Sequence, residues 1–261
     1  TSHQVFKHMD ANGVPNGNYN TMDTSWTYDA TGKPLTSQQI NKSVDGAGNV
    51  NNTNEIDTTW TYDANGNTLS HTQTNFNLNG GAKTINGINE ESWTYDVNGN
   101  QLSHKMTWSS VDGNGHINNK NTNETAWDAA GHQLVNTQTN QNFDMNGMVN
   151  GGNSNEQTWS YDATGNLLTS HQANLNYGPN GTLTGGNAND HIWTYDANNH
   201  PLTHVQTNSN NYNGNGNALT VNNKNEESWT YDVKGNAISH TQTNSNWNGN
   251  VLTINNKMDD M

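Results

Sequence analysis

The sequence has no cysteine, which excludes disulfides and thiolate metal sites. It is also poor in charged residues (12%) and in hydrophobic residues (28%), and its mean hydropathy is -1.05. Few apolar residues are typical of disordered chains, but those chains carry more charge and fewer aromatic side chains than the 9 Trp and 9 Tyr found here. An ordered chain of this composition must satisfy its many Asn, Thr, Gly and Ser groups by repetition.

Basic residues and long apolar runs are scarce as well. Against 9 Lys and Arg stand 23 Asp and Glu, which gives a net charge of -14. This charge argues against nucleic acid and against anionic membrane surfaces as partners. No run approaches the ~18 apolar residues of a membrane helix, so we expect no membrane insertion. The opening "TSHQVFKHMD" has neither an initiator Met nor an apolar leader, and we expect a processed chain or a piece of a longer one.

One sixteen-residue string, "WTYDANGNTLSHTQTN" at Trp60, recurs along the whole chain. The Asp of its Tyr-Asp dipeptide recurs at spacings of 34, 33, 32, 34, 34 and 36 residues, at Asp29, Asp63, Asp96, Asp128, Asp162, Asp196 and Asp232. A fixed period of this size indicates a repeat architecture. We predict a single array over residues 1–261. Its incomplete first repeat covers residues 1–25, and the later repeats begin near Trp26, Trp60, Trp93, Thr125, Trp159, Trp193 and Trp229.

Each repeat holds two turn signals. One follows the Asp, as in Asn65-Gly66. The other lies about sixteen residues later, at Asn114-Gly115, Asn146-Gly147, Asn180-Gly181, Asn215-Gly216 and Asn248-Gly249. Asn-Gly between extended segments predicts a two-residue hairpin loop in which both residues have a positive φ. The segments between the turns are rich in Thr, Trp, Tyr, Val and Ile and show no helical period, which favours strands.

The register of the strands follows from the turns, because residues paired across a two-residue loop share a constant index sum. The loop at Asn65-Gly66 pairs Tyr62 with Leu69 and Trp60 with His71. The same rule gives further pairs, Trp93 with His104, Trp193 with His204, Trp229 with His240, Leu168 with Trp193 and Leu202 with Trp229. Trp, Tyr and Leu then share one face, joined by Val149, Leu183 and Val221 near the second turn, and Thr and Ser occupy the other face. The loop near Asn79 needs an odd length or a bulge to keep this register.

These patterns predict an all-β fold, a repetitive antiparallel meander of about sixteen strands. Each repeat of about 33 residues consists of two hairpins. A flat sheet would leave the aromatic row wet, so we expect it to be coiled or stacked as a spiral or solenoid-like sheet. The predicted core is an aromatic ladder formed by Trp26, Tyr28, Trp60, Tyr62, Trp93, Tyr95, Trp127, Trp159, Tyr161, Trp193, Tyr195, Trp229 and Tyr231.

The string "YDANGN", with "SVDGNGHI" between copies, resembles the Rhs or YD-repeat family over the whole chain. This repeat is longer and richer in Trp, Asn and Thr than the usual family pattern. The resemblance implies antiparallel strands wound into a spiral sheet on a bacterial cell-surface protein, and hence an extracellular or cell-surface location. The family's toxin role is not carried over, because the chain ends "NNKMDDM" with no effector after the array.

Several kinds of site can be weighed against this structural interpretation. Asp63, Asn65 and Asn67 resemble the start of a calcium loop, but no Glu follows at the twelfth position, and Asp and Asn are also ordinary turn residues. Equivalent His residues lie two strands apart, roughly 9.6 Å, too far to share one zinc ion. We find no nucleophile motif, phosphate loop or HExxH, and therefore expect no enzyme, no catalytic residue, no metal site and no cofactor, with calcium as the one alternative.

We expect a non-enzymatic extracellular structural protein that assembles with itself, end to end or edge to edge, into a filament, matrix or surface layer. The alternative is a repetitive lectin or adhesin that binds polysaccharide. Trp108 and Trp247 lie outside the main Trp positions and are its candidate contact residues. A further alternative is an ice-binding surface made of "TQT" strings such as Thr72-Gln73-Thr74.

Overall fold

The computed structural model describes residues 1–79, 82–210, 220–248 and 251–260. A short 3₁₀ helix spans Pro179–Gly181. In the described part of the chain, no helix is long and apolar enough to cross a membrane. The strands are Ser2–Met9 (β1), Pro15–Tyr28 (β2), Pro34–Val44 (β3), Val50–Tyr62 (β4), Thr68–Asn79 (β5), Ala82–Tyr95 (β6), Gln101–Val111 (β7), Ile117–Trp127 (β8), Gln133–Phe143 (β9), Val149–Tyr161 (β10), Leu167–Tyr177 (β11), Leu183–Tyr195 (β12), Pro201–Asn210 (β13), Thr220–Tyr231 (β14), Ala237–Asn248 (β15) and Val251–Asp260 (β16).

The sixteen strands form one antiparallel meander, in which each strand is hydrogen-bonded to its neighbours in sequence, from β1 to β16. This confirms the predicted all-β class and strand number. The chain divides into two compact units. Unit 1 comprises Thr1–Thr122 with Phe143–Gly147, and unit 2 comprises Asn123–Asn142 with Met148–Met261.

The turn that follows each Tyr differs from the predicted two-residue loop. The backbone N–H of Asp63 donates to the carbonyl of Asn67 (2.9 Å), and that of Gly66 donates to the carbonyl of Asp63 (3.0 Å). The loop is thus three residues long, and only Gly66 has a positive φ, of 88°. The two-residue prediction was wrong because an Asp at the first position favours a type I turn closed by a left-handed Gly.

The predicted register nevertheless holds further from the turn. Trp60 lies opposite His71, but Tyr62 lies opposite Thr68 and not opposite Leu69. A bulge at Leu69 compensates for the odd loop length, so the index sum returns to its predicted value. The pairs Trp93–His104, Trp193–His204 and Trp229–His240 are confirmed in the same way. The bulged residue in the equivalent hairpins is Leu35, Leu102, Leu168, Leu202 or Ile238.

A second bulge lies near the other turn of the repeat. It places Leu183 opposite Tyr177 and Val221 opposite Ser209, on the Thr and Ser face. Their predicted position on the Trp face was wrong, because one extra residue, Thr184 or Asn222, shifts the register and places the side chain on its turn side on the other face. The predicted bulge near Asn79 is confirmed between Asn75 and Phe76.

Among the second turns, the predicted pair of positive φ values is found at Asn180 (58°) and Gly181 (70°). At Asn114-Gly115 and Asn146-Gly147 the prediction was wrong, because only the Gly has a positive φ and its N–H closes the turn on an Asp carbonyl, as at Gly66. The loop residues Gly80-Gly81, the turn Asn215-Gly216 and residue Gly249 lie outside the described residues.

We call the side that carries Trp60, His71 and Trp93 the ladder face, and the side that carries Thr61 and Ser70 the hydroxyl face. The aromatic ladder, predicted as the core, is only half-buried, and Trp26 and Tyr28 are 43% and 57% exposed. Among the described residues, the buried hydrophobic side chains are Val44, Ala173, Leu183 and Ala188, and they lie on the hydroxyl face. None of these is a large apolar side chain, so most stability must come from strand pairing and side-chain hydrogen bonds.

Candidate functional site

Each Asp that follows Tyr closes its own turn with its side chain. Oδ1 of Asp63 accepts the backbone N–H groups of Asn65 (2.9 Å) and Asn67 (2.8 Å), and Oδ2 accepts the side-chain amide of Asn67 (2.9 Å). Where His replaces that Asn, its ring takes the same place, since Nδ1 of His200 lies 2.9 Å from Oδ2 of Asp196. These contacts make the recurrent Asp a turn-forming residue.

The same hydrogen bonds change the acidity of the turn carboxyls. They lower the pKa of Asp63, chiefly through the Asn67 side chain, and that of Asp162, chiefly through Asn166 and Thr164. The physical cause is that a hydrogen bond donated to a carboxylate favours its charged form. Because the effect recurs from turn to turn, it singles out no catalytic group.

The calcium candidates Asp63, Asn65 and Asn67 do meet in one turn. However, Asn67 directs N–H groups at the carboxylate and Asn65 contributes its backbone N–H, whereas calcium requires converging oxygen ligands. The turn therefore lacks the donor set of a calcium loop. Among the described residues, no group of three or more His, Asp or Glu is placed to hold a metal ion.

In three of the Tyr-Asp dipeptides, the Tyr hydroxyl contacts the turn of the preceding repeat. The hydroxyl of Tyr62 donates to the carbonyl of Pro34 (2.9 Å), and the Nζ of Lys33 lies over its ring, 5.0 Å from the centroid. In unit 2, Tyr231 donates to Pro201 (2.9 Å) and stacks on His200 at 4.8 Å between ring centroids. Tyr195 bonds Leu167 in the same way, also at 2.9 Å. Tyr therefore joins one repeat to the next.

Burial and the neighbouring turn also raise the pKa of Tyr195 and Tyr231. Burial is the larger cause at Tyr195 and Tyr231, and the negative charge of Asp162 or Asp196 in the preceding turn adds to it. Both effects disfavour a phenolate, so the hydroxyl stays protonated and can donate its hydrogen bond to the preceding repeat.

Trp rings of the ladder stack on His or on one another at Trp26, Trp60, Trp93, Trp193 and Trp229. Trp60 lies between Trp26 (5.7 Å between centroids) and His71 (5.4 Å). Trp193 lies between His191 (5.1 Å) and His204 (4.7 Å). These ring faces are covered by neighbouring side chains, so they are not available to stack on a ligand.

The His residues of this row are joined through carboxylates, which the sequence reasoning missed. In unit 1, Glu91 lies 3.5 Å from Nδ1 of His71 and 3.2 Å from Nε2 of His104. In unit 2, Glu227 lies between His204 (3.8 Å) and His240 (3.9 Å). The available signal was the position of both Glu residues two places before a Trp, directly opposite the His of the preceding repeat.

The two Trp residues outside the ladder are exposed, Trp108 by 44% and Trp247 by 39%. Within the described residues, neither ring stacks on another aromatic ring. Their sequence signal was their position outside the regular Trp slots. They lie in different units, Trp108 in unit 1 and Trp247 in unit 2.

The hydroxyl face carries paired hydroxyl groups near the Asp turns. Thr61 and Ser70 are 2.6 Å apart, and Thr194 and Thr203 are 2.7 Å apart. Each pair of hydroxyls forms a hydrogen bond across two strands, which stabilises the hairpin.

No family model and no curated protein matches the chain. The matching solved structures include a porin-like protein from Bacteroides uniformis, with 9% identity, coverage of 94% of this chain and 97% of that one, and a TM-score of 0.16. They also include the Tc holotoxin pore of Photorhabdus luminescens, with 10% identity and a TM-score of 0.09. That match covers 93% of this chain but only 22% of the toxin chain.

Proposed function

We propose that this chain is a non-enzymatic structural protein of the Rhs or YD-repeat type, located outside the cell or on its surface. The observation that carries the proposal is the use of the recurrent side chains. Tyr, Asp and the residue after Gly all serve to close turns or to hold the neighbouring repeat, as Tyr62, Asp63 and Asn67 show. Because the side chains of the motif are used for turns and for contacts between repeats, the motif builds a surface of repeating geometry.

Self-assembly is the second part of the proposal. The outer strands of the sheet, β1 and β16, are exposed along their described lengths. They carry apolar side chains such as Val5 (49% exposed), Phe6 (52%) and Ile254 (63%). Free strand edges with apolar side chains are templates for pairing with another chain, so copies of the 261-residue chain join edge to edge.

The negative net charge of the chain opposes this association, so the dependence of assembly on salt can be tested. The net charge of -14 repels one copy from another at low ionic strength. Salt screens this repulsion, because the Debye length falls to about 8 Å at about 0.15 M. Assembly should therefore increase with salt as well as with protein concentration.

Electron microscopy and sedimentation of the 261-residue chain, at rising concentration and salt, test the proposal. The double variant Val5→Lys, Val251→Lys places charge on both outer strands and should abolish assembly. The matched control Val97→Lys, Val233→Lys makes the same changes at turn positions, where the side chains are fully exposed, and should assemble like the parent. Monodisperse particles under all conditions, or equal assembly by both double variants, would contradict edge-to-edge joining.

A second candidate function, carbohydrate binding, is favoured by one specific observation, which is the unstacked ring of Trp108. Trp60 and Trp193 of the ladder do not support this function, because their ring faces are covered.

A further inference from the structure

A groove of about 380 Å³ crosses strands β3 to β7 on the ladder face of unit 1. Trp108 forms one wall, Ile56 lies in its lining, and Asn41, Asn54 and Asn75 supply side-chain amides. The volume falls within the range of small-ligand sites, roughly 300–1,000 Å³.

The groove exists because Gly87 has no side chain. Gly87 lies opposite Asn75 on one side and Ser110 on the other, in the row where its neighbours carry side chains. A Cβ built on Gly87 would lie 3.8 Å from Nδ2 of Asn75 and 4.0 Å from Nε1 of Trp108. Two N–H donors, one amide and one indole, therefore border the same gap.

The amides of the groove retain hydrogen-bonding capacity. Oδ1 of Asn41 accepts from Gln39 (3.1 Å) and Oδ1 of Asn75 accepts from Gln73 (3.1 Å), which leaves both Nδ2 groups without a partner in the described chain. The side chain of Asn54 has no partner there either. A ligand would thus meet several donors and one complete amide next to an exposed indole ring.

The acidic charge of the chain bears on the kind of ligand. Glu55 borders the groove, but its buried carboxylate belongs to the hydroxyl face, where it lies 2.7 Å from the Nζ of Lys83. A second carboxylate, Asp57, shares that Lys at 3.0 Å. With this pair of acids around one base and a net charge of -14, the site disfavours anions.

We propose that this groove binds a neutral saccharide, with one pyranose ring stacked on Trp108 and its hydroxyls bonded to Asn54, Asn75 and the indole N–H. Apolar C–H faces of sugars suit an exposed aromatic ring, and sugar hydroxyls both donate and accept, which matches side-chain amides. The inference is independent of self-assembly, since the groove lies within unit 1 and away from the outer strands.

Unit 2 offers an internal comparison. A groove of about 400 Å³ on its ladder face is lined by Asn and Gln without an aromatic ring. Two pairs of its amides are hydrogen-bonded to each other, since Asn208 donates to Asn223 (2.6 Å) and Asn174 donates to Asn187 (3.2 Å). This second groove should not bind saccharide, because it offers no aromatic ring on which a pyranose could stack.

Calorimetric titration of the full chain with maltohexaose, cellohexaose, chitohexaose and mannohexaose, each to about 10 mM, tests the proposal, because single-ring contacts give weak affinities. At least one of these saccharides should bind, and Trp108→Ala should weaken its affinity by about tenfold or more. Gly87→Val should do the same by filling the gap while Trp108 is kept. The control Trp26→Ala removes a Trp of equal exposure, 43%, and should leave binding unchanged.

A direct readout does not depend on how the variants fold. The indole N–H resonance of Trp108, assigned by its disappearance in Trp108→Phe, should shift on addition of the bound saccharide. Absence of binding by all four saccharides, an unchanged Trp108 resonance, or an equal loss in Trp26→Ala would overturn the proposal. So would tighter binding of a polyproline peptide than of any saccharide.

Discussion

The hairpin between β7 and β8 contains two glycines, Gly113 and Gly115, and comparing a Gly→Ala substitution at each isolates the cost of backbone strain. Gly115 has a φ of 89°, whereas Gly113 in the same turn has no positive φ, and a Cβ on either would meet nothing within 4 Å. A Gly→Ala change at either position reduces the conformational entropy of the unfolded chain equally, which stabilises the folded protein by about 0.4–1 kcal/mol. Only Gly115→Ala must also hold an L-residue in the left-handed region, at about 1–2 kcal/mol.

We therefore expect Gly115→Ala to be less stable than Gly113→Ala by about 1–2 kcal/mol. Gly115→Asn should lie between them, because Asn199 occupies the equivalent position of another turn with a φ of 67°. Hydrogen exchange of the amides in this hairpin, supported by thermal melting, measures the difference. Equal protection in Gly113→Ala and Gly115→Ala would refute the assignment of Gly115 as the residue that closes the turn.

Further predictions concern ion pairs and pH. Lys83→Met should destabilise unit 1 by about 1–3 kcal/mol in urea melts, because it leaves buried Glu55 without its cation, whereas exposed Lys234→Met should have little effect. The turn carboxyls have pKa values below their ordinary value of 3.8. The stability that they contribute is therefore complete above that pH and is lost as the pH falls through the lower folded-state pKa values. Acid titration followed by Trp fluorescence should show unfolding only below about pH 4. Burial, and to a lesser extent the nearby His204, lowers the pKa of His191. The free energy of unfolding should therefore fall as the pH drops below about 6.5, and it should fall by more in the parent than in His191→Gln. Parallel pH profiles of the two proteins would contradict this prediction.

Much of the fold could be predicted because the register arithmetic does not depend on details of the turn. A two-residue loop and a three-residue loop followed by a one-residue bulge give the same index sum, so Trp60 meets His71 in either case. For the same reason the arithmetic could not reveal the bulge at Leu69. The turn chemistry that decides between them is the side chain of Asp63, which closes a type I turn.

The faces near the second turn and the location of the core were less predictable. The bulge at Thr184, directly after Leu183, has no distinct sequence signal, and it places the Leu183 side chain on the hydroxyl face. The prediction of an aromatic core assumed that large apolar rings are buried. Rings such as Trp60 and Trp193 instead stack on side chains of neighbouring strands, which covers their faces without burying them fully. The groove at Trp108 depends on the absence of a side chain at Gly87 on the neighbouring strand. Neither residue belongs to the recurrent string, so the repeat pattern could not predict the groove.

The central claim is that the Tyr-Asp dipeptide joins one repeat to the next, and Tyr→Phe substitutions test it most directly. The triple variant of Tyr62, Tyr195 and Tyr231 removes three hydrogen bonds to preceding turns. Each is worth about 0.5–1 kcal/mol, so urea unfolding should show a loss of about 1.5–3 kcal/mol. Tyr28→Phe is the control, because Tyr28 is 57% exposed and its hydroxyl has no partner in the described chain. A triple variant as stable as Tyr28→Phe would contradict the claim.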